Sequence, residues 1–407
     1  MAGALSHLRV LDMSRVLAGP WCGQSLADLG ADVIKVERPG AGDESRTWGP
    51  PWVKDGNGQD TRDSTYFTSA NRNKRSITVD IASPEGQALI RELVKKVDVL
   101  IENYKVGDLK RYGLGYADLN SINPRLVYCS VTGFGQDGPS ASRPGYDFIF
   151  QGEGGLMSIT GERDDLPGGG PQKVGIAVTD ILTGLNATTA ILAAIEHRHV
   201  SGRGQYIDMA LMDTIVAFGA NQIAGFLATG RLPGRHGNAH PNVAPYSVFR
   251  TGDGHMIIGC GNQGQWEKLC KALGREELVP DARFTDMSMR AANRPALAEE
   301  LELTLTQKPS AYWLERLTAV DVPNGPINNY RQVFEHPQVI HRKLRIDMPH
   351  VLGGTTAVVA SPLRLSDTPI QYRHAPPVLG QHTVEVLKEL LEKDDAEIDR
   401  LSKAGIV

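Results

Sequence analysis

Short apolar runs separated by polar, glycine-rich turns open the chain. Residues 8–13 form one such run, and Ala18-Gly19-Pro20 reads as a break after it. Residues 22–29 then have helical character and close on Gly30, and residues 31–36 predict a second strand. The alternation continues with a strand at 76–81, a helix at 84–96 that starts on proline, and strands at 97–101 and 126–131. Repeated β-α-β units predict an α/β fold with a Rossmann-like parallel sheet. Open sheets of this kind bind ligands beyond their strand ends. Residues 14–19, 37–40, 102–105 and 132–136 are therefore the first places to seek a site.

The pattern changes further on. Residues 151–170 are glycine-rich and read as loop, 180–197 as a strongly apolar helix, 204–209 as a strand and 211–227 as a second apolar helix. Glycine, proline and histidine dominate 228–245, a linker. Residues 226–330 predict a smaller α+β domain, with a β-rich entry at 246–259, helices at 265–273 and 295–305, and a loop at 322–327. Residues 331–407 regain strand-like alternation near 355–363 and end in a helix at 383–392, as if returning to the large domain begun by 1–225.

Composition narrows the function. The 407 residues are 41% hydrophobic and 22% charged, with a formal net charge of −4, the profile of a globular protein without a nucleic-acid or membrane partner. Cys22, Cys129, Cys260 and Cys270 lack metal-ligand spacing, so no metal is expected and a reducing, cytoplasmic setting is. The N-terminus has no signal-peptide core, and no uninterrupted run of about 18 apolar residues suggests a membrane span.

Four features could carry chemistry. Asp180 lies between an apolar run and an apolar helix. An acid there commonly caps the helix, but the same helix end and apolar walls would tune a carboxylate nucleophile. Gly259-Cys260-Gly261-Asn262-Gln263-Gly264 fits GxGxxG between a strand and a helix, yet no acid ends a second strand about 20 residues later. It fits better as a loop of backbone donors near a reacting carbonyl. Arg72, Lys74 and Arg75, with Lys35, Arg38, Lys105, Lys110 and Arg111, flank strand ends and could hold the phosphates of a nucleotide-like cofactor. His236 and His240 sit among glycine and proline, which argues against a metal-binding helix. No Gly-x-Ser-x-Gly occurs.

Taken together, these segments resemble the class III CoA-transferase family over nearly the whole chain. The resemblance rests on residues 11–20, on Gly30-Ala31-Asp32-Val33-Ile34-Lys35-Val36-Glu37-Arg38-Pro39-Gly40, on Asn73-Lys74-Arg75-Ser76, Glu102-Asn103-Tyr104 and Asn123-Pro124-Arg125-Leu126, and on Leu379-Gly380-Gln381-His382-Thr383. It implies that Asp180 is the nucleophile. It implies CoA contacts at Leu17, Ala18, Arg38, Val79, Asp80, Ile81, Ala82, Asn103, Tyr104, Lys105 and Arg111, and places Tyr146 near the reacting acyl group. Gly259 and Gly261 resemble a loop that shields intermediates. Coenzyme A enters as a thioester substrate, with no tightly bound cofactor. The family fold implies an interlocked, ring-shaped homodimer. The racemase branch has His-Asp where this chain has Tyr146-Asp147, and a phenol of pKa about 10 is a poor base for an α-proton. Residues 40–51 and 325–329 are most similar to the succinate–hydroxymethylglutarate (glutarate) enzymes, and Arg46 is a candidate partner for a second substrate carboxylate.

Overall fold

The computed structural model describes residues 3–407. Its contacts group the chain into two units. The larger comprises the chain up to Leu156, Val174–Ala228 and Gln338–Val407; the smaller comprises Met157–Lys173 and Thr229–Pro337. The glycine-rich stretch before Asp180 thus falls largely in the smaller unit.

The larger unit is built on six parallel strands: β1 (Arg9–Asp12), β2 (Asp32–Glu37), β3 (Lys74–Thr78), β4 (Val99–Glu102), β5 (Val127–Thr132) and β6 (Tyr206–Ala210). Their order is β3-β2-β1-β4-β5-β6, so the chain reverses direction across the sheet between β1 and β4. That arrangement is the expected Rossmann-like one, and its crevice lies beyond the ends of those two strands.

Alternating side chains serve two cores. Val10, Val33, Val99 and Val127 pack with Leu26 of helix α1 (Ala18–Asp28), and the long helix Val178–Ser201 adds Ala187, Ile191 and Ala194 to the same core. Leu11, Ile34, Leu100 and Tyr128 pack with Leu89, Ile90 and Leu93 of helix α2 (Pro84–Val94), and with Val386 and Leu387 near the C-terminus. Both faces are covered, so the central strands β4 and β5 are buried, largely apolar runs, whereas the edge strand β3 is mostly polar. Val178–Ser201 is long and apolar enough by composition to cross a membrane, although no uninterrupted apolar run marks it, and one of its faces packs in the core.

Helix α1 starts at Ala18, four residues before the expected position, because proline is tolerated in a first turn whose N–H groups lack helical partners anyway. The expected single helix at 211–227 is two, Leu211–Phe218 and Ala220–Thr229, bent by 77°. The break coincides with Ala220 at φ 42°, outside the helical region. In the smaller unit, Tyr246–Arg250 and His255–Gly259 form an antiparallel pair, and Asn324–Pro326, within the expected loop, adds a third strand.

Much of the basic cluster is structural. Lys35 Nζ donates to Asp43 (2.9 Å) and to the Ser14 carbonyl (2.9 Å), and Lys74 Nζ donates to Asp12 (2.8 Å) and Asn71 (2.9 Å). Arg72 is buried against Asp28, and Arg75 joins Asp32 to Glu385 and Glu389. These cations are not available to phosphates, contrary to the expectation from sequence. Except for Asp43, eight residues from Lys35, their acids lie 43 or more residues away in the chain, and only folding brings them together. The same pairs order the loop after β1. Val16 N–H donates to both Asp43 oxygens (3.2 Å each), which holds this β-branched residue at φ 69°. Burial alone would raise the Asp43 carboxyl, but Lys35 and the Ser45 N–H hold it well below the usual carboxylate range.

The far edge of the sheet is closed by the C-terminal segment. His382 Nδ1 accepts the Ser76 N–H (3.1 Å), Thr383 Oγ1 accepts the Thr78 N–H (3.0 Å), and the His374 carbonyl accepts the Asn73 N–H (2.8 Å).

Asp43→Ala strands Lys35 without its partner and is expected to cost about 3–5 kcal/mol, the usual cost of breaking a buried pair. Glu44→Ala, which removes only the half-exposed pair with Arg15, is expected to cost at most about 1 kcal/mol. Urea unfolding of both variants checks this; equal midpoints would show that the buried pairs brace nothing.

Candidate functional site

Around the β1–β4 crevice the chain concentrates unusual backbone and close packing. Asn103 clamps the loop after β1 from both sides: its Oδ1 accepts the Arg15 N–H (2.9 Å) and its Nδ2 donates to the Arg15 carbonyl (2.8 Å). A Cβ on Gly19 would fall 2.3 Å from Ser14 Oγ, and one on Gly23 2.5 Å from Asp12 Oδ2. Glycine at these two positions lets α1 lie directly on the loop. No side chain caps the α1 N-terminus. Leu17 and Ala18 stand there, at the positive end of the helix dipole.

Helix α4 (Val178–Ser201, with α3 being Asp147–Glu153) meets the start of α1 at Gly184, where a Cβ would lie 2.6 Å from the Ala18 carbonyl oxygen. Asp180 is one turn earlier on the same face of α4. It therefore lies in the neighbourhood of Leu17 and Ala18, which the sequence assigned to one site. Asp180 does not cap its helix. The helix begins at Val178, and the Asp180 side chain makes no hydrogen bond or ion pair among the described residues. The capping task falls to Asp147: its Oδ1 accepts the Thr179 N–H (2.8 Å) and its Oδ2 accepts Gln151 Nε2 (2.7 Å). Gln151 also accepts the Val174 N–H (2.8 Å), so Asp147 and Gln151 together tie the entry of α4 to α3.

Burial, and then the Asp147 charge, pushes the half-buried Asp180 carboxyl up to about 7. Tyr66 belongs to the same neighbourhood: burial, followed by Asp180, Asp147 and Asp43, raises its phenol to about 12. The buried hydroxyls of Thr179 and Thr183 have no hydrogen-bond partner. Asp147, Gln151 and Tyr66 escaped the sequence reading. The tyrosine and glutamine carry no motif, and Asp147 drew attention only as the neighbour of Tyr146.

The other expected contacts fall into groups. Arg38 follows β2, and its exposed guanidinium has no hydrogen-bond or ion-pair partner among the described residues; Lys105 follows β4 in the same condition. Arg111 is paired with Asp108 (2.7 Å). Tyr104 and Lys105 line a cavity of about 520 Å³ with Glu102, Tyr116, Tyr128 and Tyr206. Burial pushes the Glu102 carboxyl up to about 7 against the Tyr104 N–H bond (2.8 Å). Val79, Asp80, Ile81 and Ala82 form the turn between β3 and α2; the Val79 and Asp80 N–H groups bind the carbonyls of Glu37 (2.9 Å) and Ile406 (2.8 Å), whereas Ala82 is exposed. Tyr146 is 65% exposed at the start of α3.

Arg46 is fully committed. Its Nε and Nη2 hold both oxygens of Glu37 (2.7 Å each), its Nη1 holds Asp63 (2.6 Å), and its guanidinium stacks on Phe67 at 3.6 Å. A substrate carboxylate reaching it would have to displace one of these acids. The GxGxxG stretch leaves an antiparallel strand rather than a β-α-β unit, so it lacks the context of a dinucleotide fingerprint. Its N–H groups are also occupied: Gly259 donates to the Pro323 carbonyl (3.0 Å) and Gly261 to Gln265 Oε1 (2.7 Å). No cluster of three metal-ligating side chains occurs among the described residues.

The CoA-transferase family III profile matches residues 5–383. The chain belongs to this family. It is 47% identical over 95% of its length to the succinate–glutarate CoA-transferase of Agrobacterium fabrum, 95% of which is covered. It is 42% identical over 99% of its length to the human succinyl-CoA:glutarate CoA-transferase, 90% of which is covered. Among solved structures, a CaiB/BaiF family protein from Brucella suis matches with a TM-score of 0.85 and 47% identity, over 96% of this chain and 100% of that one.

Because Asp180 is raised in the folded state, its ionisation opposes folding increasingly as pH rises from its unfolded value near 4 to its folded value near 7. Asp180→Asn is therefore expected to stabilise the protein at pH 8 by about 1–2 kcal/mol, discounted from the full shift for partial solvent access. The gain should shrink steadily toward pH 4. Thermal unfolding across this range checks it, and a gain independent of pH would show that the carboxyl is not strained by ionisation.

Proposed function

We propose that the protein transfers coenzyme A from succinyl-CoA to a free dicarboxylate such as glutarate, with Asp180 as covalent nucleophile. The observation that carries this reading is a half-buried carboxylate without a partner among the described residues, on a helix that packs against the start of α1, in a chain of the CoA-transferase family. The names of the relatives at 42–47% identity support the choice of acids.

The chemistry follows from that arrangement. An Asp180 oxygen attacks the thioester carbonyl, the C–S bond breaks, and CoA leaves as thiolate from a mixed anhydride. The thiolate then attacks the aspartyl carbonyl carbon, expels succinate and forms a thioester on Asp180. Glutarate attacks that thioester, freeing the thiolate and forming a second anhydride. Attack of the thiolate on the glutaryl carbonyl gives glutaryl-CoA and restores the carboxylate. Each addition builds oxyanion charge; in this reading the Ala18 and Gly19 N–H groups, at the start of α1 without a side-chain cap, receive it at about 3 kcal/mol per donor. Low solvation makes the carboxylate more nucleophilic than one in water, and Asp147 and Gln151 fix its helix end. Arg38 and Lys105 are free cations suited to CoA phosphates. An exposed phenol at Tyr146 favours transfer over α-proton abstraction.

Succinyl-CoA mixed with glutarate should yield glutaryl-CoA, read by mass spectrometry of the CoA products; absence of activity with every dicarboxylate tested would remove the choice of acids. Asp180→Ala should keep its fold and CoA binding but lose transfer, and substantial residual turnover would sink the covalent assignment. Arg38→Ala should raise KM for the acyl-CoA about tenfold with little change in kcat, the effect of losing one charge-assisted contact.

A further inference from the structure

The smaller unit holds a cavity of about 740 Å³ that the transfer chemistry leaves unused. Its lining includes the apolar residues Val243, Phe249, Leu297 and Ala298. It also includes Arg163, Arg235, Arg294 and His236. Charge accounting across these cations is uneven. Arg163 is paired with Asp165 (2.6 Å) and Arg235 with Asp164. Arg294 has no carboxylate partner among the described residues: its Nη2 donates to the Pro241 carbonyl, and its buried Nε has no partner. The Nε of Arg235 is likewise buried and unpartnered. Burial, then Arg294 and Arg163, hold the His236 imidazole below its usual value, so it is neutral near pH 7 and adds no positive charge. Glu162, beside Gly237, adds a further acid near Arg163, so Arg294 is the one guanidinium of the three without a carboxylate partner among the described residues.

We propose that this cavity binds a monoanionic carboxylate with an apolar body, its head on Arg294 and Arg163 and its body against Phe249, Leu297 and Ala298. A single arginine without a carboxylate partner, its buried Nε unpaired, matches one carboxylate. A phosphate dianion would leave negative charge unmatched, and it has no apolar part to use the apolar residues. An aliphatic alcohol would meet the apolar residues but leave the guanidinium bare.

The test uses hexanoate as probe, titrated calorimetrically into the full chain without CoA, with inorganic phosphate and hexanol as comparison arms. Hexanoate is expected to bind, and both comparison compounds to bind at least tenfold more weakly. Arg163→Gln removes one head contact from a half-buried side chain, and Ala298→Leu fills space beside the apolar residues without touching a charge. Each is expected to weaken hexanoate binding at least tenfold while thermal unfolding stays near that of the parent. Arg283→Gln, a change to an exposed arginine paired with Asp281 and Glu300, should leave binding unchanged. Unaltered hexanoate affinity in both cavity variants overturns the proposal, as does equal binding of phosphate. The measurement is separate from turnover. Binding in Asp180→Ala protein with no transfer in the parent would uphold the cavity and sink the transferase reading, and the reverse result would do the opposite.

Discussion

Two lysines with no exposure to solvent, Lys35 and Lys74, set the terms for everything at the ends of the first three strands. A buried ammonium is tolerated only when its charge is matched and its protons are bound. Asp43 and Asp12 supply the charges, and the Ser14 and Pro20 carbonyls take further protons. Those carbonyls belong to the loop after β1 and to the first turn of α1. Satisfying two cations therefore dictates the path of the backbone where the sheet reverses its order. Val16 is held at positive φ as part of the same solution, since Asp43 also binds its N–H.

Against that rigid base, the Asp180 carboxylate is left without a protein partner. Elsewhere in the larger unit, acids such as Asp12, Asp28, Asp43 and Glu37 are buried with cations close by. Asp180 has instead a like charge, Asp147, and unpartnered threonine hydroxyls on either side of it in sequence. The neighbouring acid is not idle: it performs the cap that Asp180 itself would otherwise perform. This division of labour commits one carboxylate to structure and leaves the other without a structural hydrogen bond among the described residues.

What the sequence could reveal depended on how local the physics was. The central strands of the large sheet were legible as apolar runs because both faces of the sheet are covered. The start of α1 was misplaced because Ala18-Gly19-Pro20 looks like a breaker, although a first turn accommodates it. Lys35 and Lys74 looked like ligand-binding cations because their acids, eight and 62 residues away, carry no mark in sequence. Arg46 is a similar case, with Glu37 and Asp63 closing around it. Asp180 was visible as an acid at a helix start, a feature shared with ordinary caps. Family motifs, not pattern, singled it out, and the structure then shows that the capping role belongs to Asp147.

The edge of the sheet has a consequence for how the protein is made. β3 is an edge strand whose N–H groups at Ser76 and Thr78 are satisfied by His382 and Thr383, more than 300 residues later. During synthesis at about 5–20 residues per second, that edge emerges well over ten seconds before the segment that covers it. For this interval the nascent chain carries an edge strand whose N–H groups at Ser76 and Thr78 are uncovered and able to pair with another chain. A ribosome stalled late in the message, or a truncation that removes the last 30 residues, would thus leave a nearly complete sheet with this edge uncovered.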